Sequence, residues 1–387
     1  MGHFTNIENF LPFKYNSFCK DVNEITVLIN YQKVWAVLWP KRMFRPEFET
    51  RIKRFELQIQ RREIYSSLDL AHSTLMLLHD CIDYSQPADI ESDLTILIKR
   101  LHTTIPFDVI INNCCRKVLD TLSQEMQKDF TPSVHDIIRS HSMSLLQLFA
   151  HPTYSVVKSS STDFDPTYKS NLKAAVLEYV DAIPETHSRI AKVACDFIHD
   201  GDLIMTLGRS KSILAFFERA HYEKRKFSVI IPERAPYYDG YSMAKDLQAY
   251  GIKVVVIEDS AVFAVMPRVS SVIVPVRAVL ADGTLITISF MQTIALAAKH
   301  YSVPLIVLYW KWKLTENFKK PGDSYSILTS PNNVILYSDS RLSSSIVLSP
   351  EGEAVSGQNV TMFINEDGAH GPADIFPQVQ SLYDPNE

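Results

Sequence analysis

Cysteine is scarce and unpatterned in this chain. Five cysteines, Cys19, Cys81, Cys114, Cys115 and Cys195, occur in 387 residues. Their number is odd and no C-x-x-C pair is present, which argues against a disulfide framework and against a zinc cage. A reducing cytosol is the compartment this usage fits. Long apolar runs are missing too, for none approaches the roughly 18 to 20 residues that cross a bilayer. The opening Met1-Gly2-His3-Phe4-Thr5-Asn6 lacks a basic stretch followed by an apolar one. A soluble, unsecreted protein with no membrane partner is expected. Nor is there an excess of positive charge. The formal net charge is -5, so nothing draws the whole chain to nucleic acid or to an anionic surface, and no direct nucleic-acid contact is expected. No Ser, His and acid constellation can be assembled, because His199, His221, His300 and His370 are scattered over different elements. No cofactor or metal is called for.

What the chain does have is an ordinary globular balance, 46% hydrophobic and 21% charged, at a length sufficient for two domains and a substantial core. Its organising stretch is 202–274, where apolar runs of strand length alternate with amphipathic helical segments. Strands are expected at 203–208, 227–231, 252–257 and 271–274, and helices at 212–225, 242–250 and 261–266. The Val- and Ile-rich runs show no polar alternation, which suits strands covered on both faces, as in a parallel sheet. Further strands are expected at 285–288, 304–309 and 360–364, and helices at 293–300 and 373–383. Residues 320–358, rich in Ser, Pro, Gly and Asn, read as loop with a small edge element at Val334-Ile335-Leu336.

Upstream the pattern is helical. Three helices are expected within 66–130, separated by Ser85-Gln86-Pro87 and Thr103-Thr104-Ile105-Pro106, with Cys114 and Cys115 as core residues of the third. A fourth helix fits 135–149, and 158–163 reads as a flexible surface loop. A long helix over 168–199 is expected to kink or break near Pro184, whose ring nitrogen has no proton to donate. The charged run from Lys41 to Glu63 reads as the solvated face of a helix with opposite charges at helical spacing rather than as a contact for an acidic partner or RNA. The first forty residues show no clear periodicity. The fold class is therefore α/β. An N-terminal all-helical domain, 1–165 with a flexible loop near 150–165, precedes a linking helix and a Rossmann-like domain with a mostly parallel sheet, 166–387.

In such sheets ligands sit beyond the carboxyl ends of the strands. The first strand is followed by Gly208-Arg209-Ser210-Lys211-Ser212, a strand-to-helix turn with one glycine that matches neither G-x-G-x-x-G nor the P-loop. Gly208 permits a tight turn there, with Arg209 and Lys211 facing solvent or a partner. The second strand ends in Pro232-Glu233-Arg234-Ala235-Pro236-Tyr237-Tyr238-Asp239-Gly240, an acid and a base beside two tyrosines. Asp259 and Arg277 follow the next two strands, placed to pair across a cleft.

Several blocks in order carry a family resemblance: Ile204-Met205-Thr206-Leu207-Gly208-Arg209-Ser210, Pro232-Glu233-Arg234-Ala235-Pro236 and the run from Ala261 to Val269. Ala295-Leu296-Ala297-Ala298-Lys299-His300, Val303 to Val307, Lys313-Leu314, and the ending from Phe363-Ile364-Asn365 to Tyr383-Asp384-Pro385 continue it. The chain resembles the alpha, beta and delta regulatory subunits of eukaryotic translation initiation factor 2B, and among them the beta members. The likeness is dense from about Asn171 onward, thinner in the helical part and absent before about Arg62.

That family is related to sugar-phosphate isomerases such as methylthioribose-1-phosphate isomerase. These look to use a cysteine where this chain has Gly208 and an aspartate where it has Arg277. Their Glu-Thr-Arg-Pro pattern is replaced by Glu233-Arg234-Ala235-Pro236, which leaves Ala235 in the arginine's slot. A glycine offers no thiol and a guanidinium cannot exchange a proton as a carboxylate does.

The resemblance therefore implies a non-catalytic regulatory subunit of the guanine-nucleotide exchange factor for initiation factor 2. It implies assembly with delta, alpha, gamma and epsilon subunits, binding of the alpha subunit of initiation factor 2 and discrimination of its phosphorylated form. A sugar-phosphate isomerase or binder of the same fold is the alternative. The resemblance also implies a subunit interface at His199 and Asp200, with the Asn365 to Pro372 turn, including Gly368, nearby. Lacking its partner, the chain alone is expected to self-associate or dissolve poorly.

Overall fold

Phe48, Ile52 and Phe55 fall on one side of a helix, and they are the buried residues of α1 (Pro46–Gln60). A computed structural model describes residues 44–61, 63–64, 66–104, 108–128, 166–319, 328–339 and 346–383. The helix expected at 135–149, the loop at 158–163 and the first forty residues lie outside these. Three helices follow α1 as their spacing predicts: α2 (Ser67–Tyr84), α3 (Ile90–Thr104) and α4 (Val109–Lys128). Among the described residues, the charges of α1 pair off their own helix. Glu49 and Glu56 both turn to Arg100 of α3 at 2.7 Å. Cys114 and Cys115 are buried in α4, and burial pushes the Cys115 thiol up to about 12.

The long helix α5 (Pro166–Ala191) runs through Pro184 without a break. The break comes later, at Lys192-Val193, before the short α6 (Ala194–Phe197). Pro184 is exposed, whereas Val180, Ile183 and Ile190 on either side of it are buried. Their burial holds the helix together across the missing backbone bond.

Beyond α5 the chain alternates as expected: β1 (Leu203–Met205), α7 (Lys211–Tyr222), β2 (Ser228–Pro232), α8 (Asp239–Ala249), β3 (Lys253–Ile257), α9 (Val262–Val265) and β4 (Ser271–Pro275). Next come the short β5 (Ala278–Leu280), β6 (Leu285–Ile288), α10 (Met291–His300), β7 (Leu305–Leu308), β8 (Leu314–Thr315), β9 (Gly352–Val355), β10 (Met362–Asn365), β11 (Gly368–His370) and α11 (Ile375–Tyr383). Seven strands form one sheet in the order β11-β10-β7-β4-β1-β2-β3. All neighbours are parallel except the β10–β11 hairpin. Reading outward from β1, the chain goes first to β2 and then to β4 on the other side, which makes the β1–β4 boundary the topological switch point.

Strand alternation divides the core. Ile204, Val229, Ile231, Ile273, Ile306 and Ile364 face the side covered by α1 to α5, α7 and α8, in one hydrophobic cluster continuous from the helical region into the sheet. Met205, Ile230, Val272, Val274, Val307 and Phe363 face the other side, with α9, α10 and α11. One strand departs from the expected double burial. β3 is an edge, and its Val255 and Val256 are 43% and 36% exposed. A second sheet, β8-β5-β6-β9, is absent from the sequence reading apart from β6. Its strands are two to four residues long, too short for a periodic signal. Val334 to Leu336 form no strand, and β9 lies at 352–355 instead. The Asn365 to Pro372 turn contains β11.

Replacing Pro184 by Ala on this exposed helical face should stabilise the protein by about 1 to 3 kcal/mol. A rise of a few degrees in the thermal midpoint is the expected reading.

Candidate functional site at the switch point

The helix α7 begins where β1 ends, and its N-cap Ser210 accepts a hydrogen bond from the Ile213 amide at 3.5 Å. Gly208 makes the turn possible at φ +67°. Between this turn and the residues after β4 lies a cavity of about 650 Å³. Arg209, Lys211 and Ser212 line it from the β1 side, Val276 and Arg277 from the β4 side, and Trp310 and Lys313 from the end of β7. Ser66 to Asp69 at the head of α2 and His187 of α5 close it from the helical region. No cysteine is among its described lining residues.

Each cation of this cleft is already engaged. Lys211 donates to Asp69 of α2 at 2.8 Å, Arg209 to Asp246 of α8 at 2.7 Å, and Arg277 to the buried Glu351 at 2.6 Å. Lys313 is buried and donates to the Val276 carbonyl at 2.6 Å. Burial, and then the neighbouring Arg277 cation, push Lys313 down to about 8. Asp108 caps α4, accepting from the amides of Ile110 and Ile111 at 2.9 and 3.0 Å. Burial raises its pKa, against those two bonds and the cations Arg277 and Lys313. His187 contacts the Ser212 hydroxyl at 3.1 Å, and burial, followed by the Lys313 and Lys211 charges, holds its pKa down at about 4. The imidazole is therefore neutral near pH 7.

The three positions singled out in the sequence gather at these strand ends in different roles. Gly208 is a turn residue. A Cβ there would sit 2.5 Å from Ile288 Cδ1 and 3.4 Å from Asp239 Oδ2. Ala235 lies in the turn after β2, joined by a cis peptide to Pro236, and its amide donates to Asp259 at 2.8 Å. Arg277 pairs with Glu351. The expected Asp259–Arg277 pair does not form, because β3 and β4 lie three strands apart, roughly 14 Å. Asp259 instead accepts from the amides of both Arg234 and Ala235.

Sequence reasoning missed the role of Arg234. Only 1% exposed and at φ +57°, it grips Asp239 through two bonds of 2.8 and 2.6 Å, with the Tyr237 ring 4.5 Å from its guanidinium carbon. The signal available was an arginine five residues ahead of an aspartate in a strand-end turn, a fork matched to a carboxylate.

The candidate interface residues fall in two places. His199 and Asp200 precede β1. The His199 side chain is 64% exposed and its amide donates to Asp202 at 2.7 Å, while the Asp200 carboxylate accepts from the Lys226 amide at 2.7 Å. Asn365 ends β10, three strands from β1 and at the opposite end of the sheet. It is buried, donating to Tyr309 and Gln378 at 2.9 and 3.0 Å and accepting from the Asp367 amide at 2.8 Å. Gly368 opens β11 at φ +127°, and Pro372 follows that strand. Within one chain the two groups are not in one cluster.

Residues 63–372, spanning the helical region, the switch point and the β10–β11 hairpin, match the model of the initiation factor 2 subunit family. The chain belongs to that family. It is 27% identical over 366 residues to translation initiation factor eIF2B subunit beta of Dictyostelium discoideum, covering 85% of this chain and 94% of the relative. The subunit beta of Schizosaccharomyces pombe is 30% identical over 281 residues, covering 68% and 71%. Among solved structures, the tetrameric eIF2B-beta2-delta2 complex from C. thermophilum contains a chain that aligns at a TM-score of 0.63 with 20% identity, covering 87% of this chain and 95% of that one. The Pyrococcus horikoshii initiation factor eIF-2B aligns at 0.61 with 18% identity, covering 86% and 99%. These two show a shared fold. As in the sequence reading, the family match begins beside Arg62. No described helix is long and apolar enough to cross a membrane.

Two outcomes are expected for this family member. Gly208→Cys, which places a thiol after the first strand, should cost about 1 to 2 kcal/mol in chemical denaturation, because the left-handed backbone penalises any Cβ. Unfolded lysine titrates near about 10.4, so above pH 8 the unfolded chain holds a proton that folded Lys313 has shed. The penalty of burying that charge is relieved as the pH rises. Between pH 8 and 9, wild type should gain about 1 kcal/mol relative to Lys313→Met; the loss that comes from unfolded thiols ionising while buried Cys81 and Cys115 stay protonated is common to both.

Proposed function

We propose that this chain is a beta-type, non-catalytic regulatory subunit of the guanine-nucleotide exchange factor for translation initiation factor 2. The observation that carries this reading is the state of the cleft. It retains the position and size of a ligand site, yet it has glycine and a carboxylate-bound arginine at the two positions where the related isomerases look to use a thiol and an acid. The four cations around it are bound to groups of the same chain. A guanidinium held at 2.6 Å by Glu351 is a poor proton donor and no proton acceptor, so it cannot take over the proton exchange of the isomerases' acid at that position.

On this reading the protein acts by assembly in the cytosol. It pairs with a delta subunit and then joins alpha, gamma and epsilon, with nucleotide exchange carried out by epsilon. The helical region presents surface to the alpha subunit of initiation factor 2, and binding free energies coupled across interfaces distinguish its phosphorylated form. Support for the delta pairing comes from the beta–delta composition named for the C. thermophilum complex. The Asn365 to Pro372 hairpin is the proposed contact on one side. There Phe376 and Phe318 stand about half exposed, with ring centroids 6.1 Å apart. His199 and Asp200 form a second contact at the amino end of β1.

Co-expression with a delta-type subunit should give a complex that survives high salt, and incubation with pentose phosphates should give no aldose-to-ketose conversion. Turnover that disappears in Arg277→Ala, or a delta subunit that never co-purifies, would overturn the proposal.

A further inference from the structure

The seven-stranded sheet ends differently on its two sides. At one edge β11 is three residues long, antiparallel and led by a glycine. Brevity of that kind blunts an edge against pairing with other strands. At the other edge β3 is a full five residues, Lys253-Val254-Val255-Val256-Ile257, in register with β2 along its whole length. Its outer side pairs with no described strand. None of the usual protections is present within it: no proline, no bulge, and a single charge at its start.

Valines are exposed on both faces of this strand. Val255 lies on the face of Ile257, which packs with the α9 and α10 side of the core, and Val256 on the face of Val254, which packs with the helical side. α9 exposes an apolar side chain of its own. Phe263 is 45% exposed and its ring meets those of His300 and Tyr301, each at 5.2 Å between centroids. An open edge with apolar flanks calls for another strand.

The charges decide which strand and in which direction. Lys253 is exposed at the amino end of β3, while Glu258 and Asp259 follow its carboxyl end. A parallel neighbour of the same sequence would set lysine beside lysine. An antiparallel second copy, related by a two-fold axis through the Val255 pair, sets Val255 opposite Val255 and Val254 opposite Val256. It also sets Lys253 opposite Ile257, within diagonal reach of the acidic end of the other copy. The strand is thus complementary to itself in one direction only, and such a contact is isologous and closes as a dimer.

We propose that β3 is a self-pairing edge, through which two copies of this chain join antiparallel to make one continuous sheet. This inference rests on the fold and on the residues of β3, not on the proposed regulatory role.

Sedimentation of the full chain over a concentration series, at low and high salt, tests it. The wild type should show a reversible monomer–dimer equilibrium, and the outward-facing backbone amides of Val254 and Val256 should exchange more slowly with deuterium as the dimer fills. Val255→Lys, which opposes two like charges at the centre, should weaken the dimer by at least about a hundredfold. Lys253→Glu should weaken it by about fivefold at low salt and less at high salt. Tyr337→Ala, at an exposed aromatic elsewhere, should change nothing. Both β3 changes lie on the surface, and unaltered melting curves would show that the fold is intact.

A monomer at every concentration, or a dimer untouched by Val255→Lys, would overturn the proposal. So would loss of delta-subunit binding in Val255→Lys, because the edge would then belong to a different partner.

Discussion

Charges gathered at the carboxyl ends of parallel strands sit in a crevice where water is limited, so each must find a counter-charge or a dipole. In this chain they find one another. Arg277 meets Glu351, Arg209 meets Asp246, Lys211 meets Asp69 and Arg234 meets Asp239. The pairs differ in worth. Lys211–Asp69 and Arg209–Asp246 are largely exposed and contribute little, whereas Arg234–Asp239 is buried, and breaking it would leave an uncompensated charge. Together they neutralise the charges of the switch point within the chain itself.

The same charges tie the two halves of the chain together. Lys211 reaches α2 in the helical region, and Asp108 at the head of α4 lies in the field of Arg277 and Lys313. Nearby, Asn113 of α4 donates to the carbonyls of Trp312 and Leu314, and the Tyr383 hydroxyl of the last helix donates to Asn113 and Leu314. With the apolar cluster running from α1 into the sheet, these contacts fix how the helical region sits over the cleft. The proposed coupling of binding between surfaces would act through such rigid connections, since a coupling free energy needs elements that move together.

Much of the architecture was legible in the sequence. The buried strands β1, β2, β4 and β7, the helices between them and the three helices before α5 have the lengths and spacings that periodicity detects. The missed parts were those whose order comes from elsewhere. Strands of two to four residues in the small sheet carry no period, and they exist because β5, β6, β8 and β9 supply one another's backbone partners. Pro184 sits in a helix that packing holds together. At the site, Gly208 and Arg277 were rightly placed at strand ends, but Glu351, the partner of Arg277, lies 74 residues further along the chain, and no local pattern links them.

By itself, then, the sequence determined which segments are strands and helices and which faces they bury, because each of these depends on residue type and near-neighbour spacing. Only the tertiary structure decided which charges neutralise which, that β3 ends the sheet with valines in the open, and that Asp259 serves the backbone of the second turn instead of Arg277. Those outcomes depend on strand order, and strand order is set by how the whole chain folds around β1.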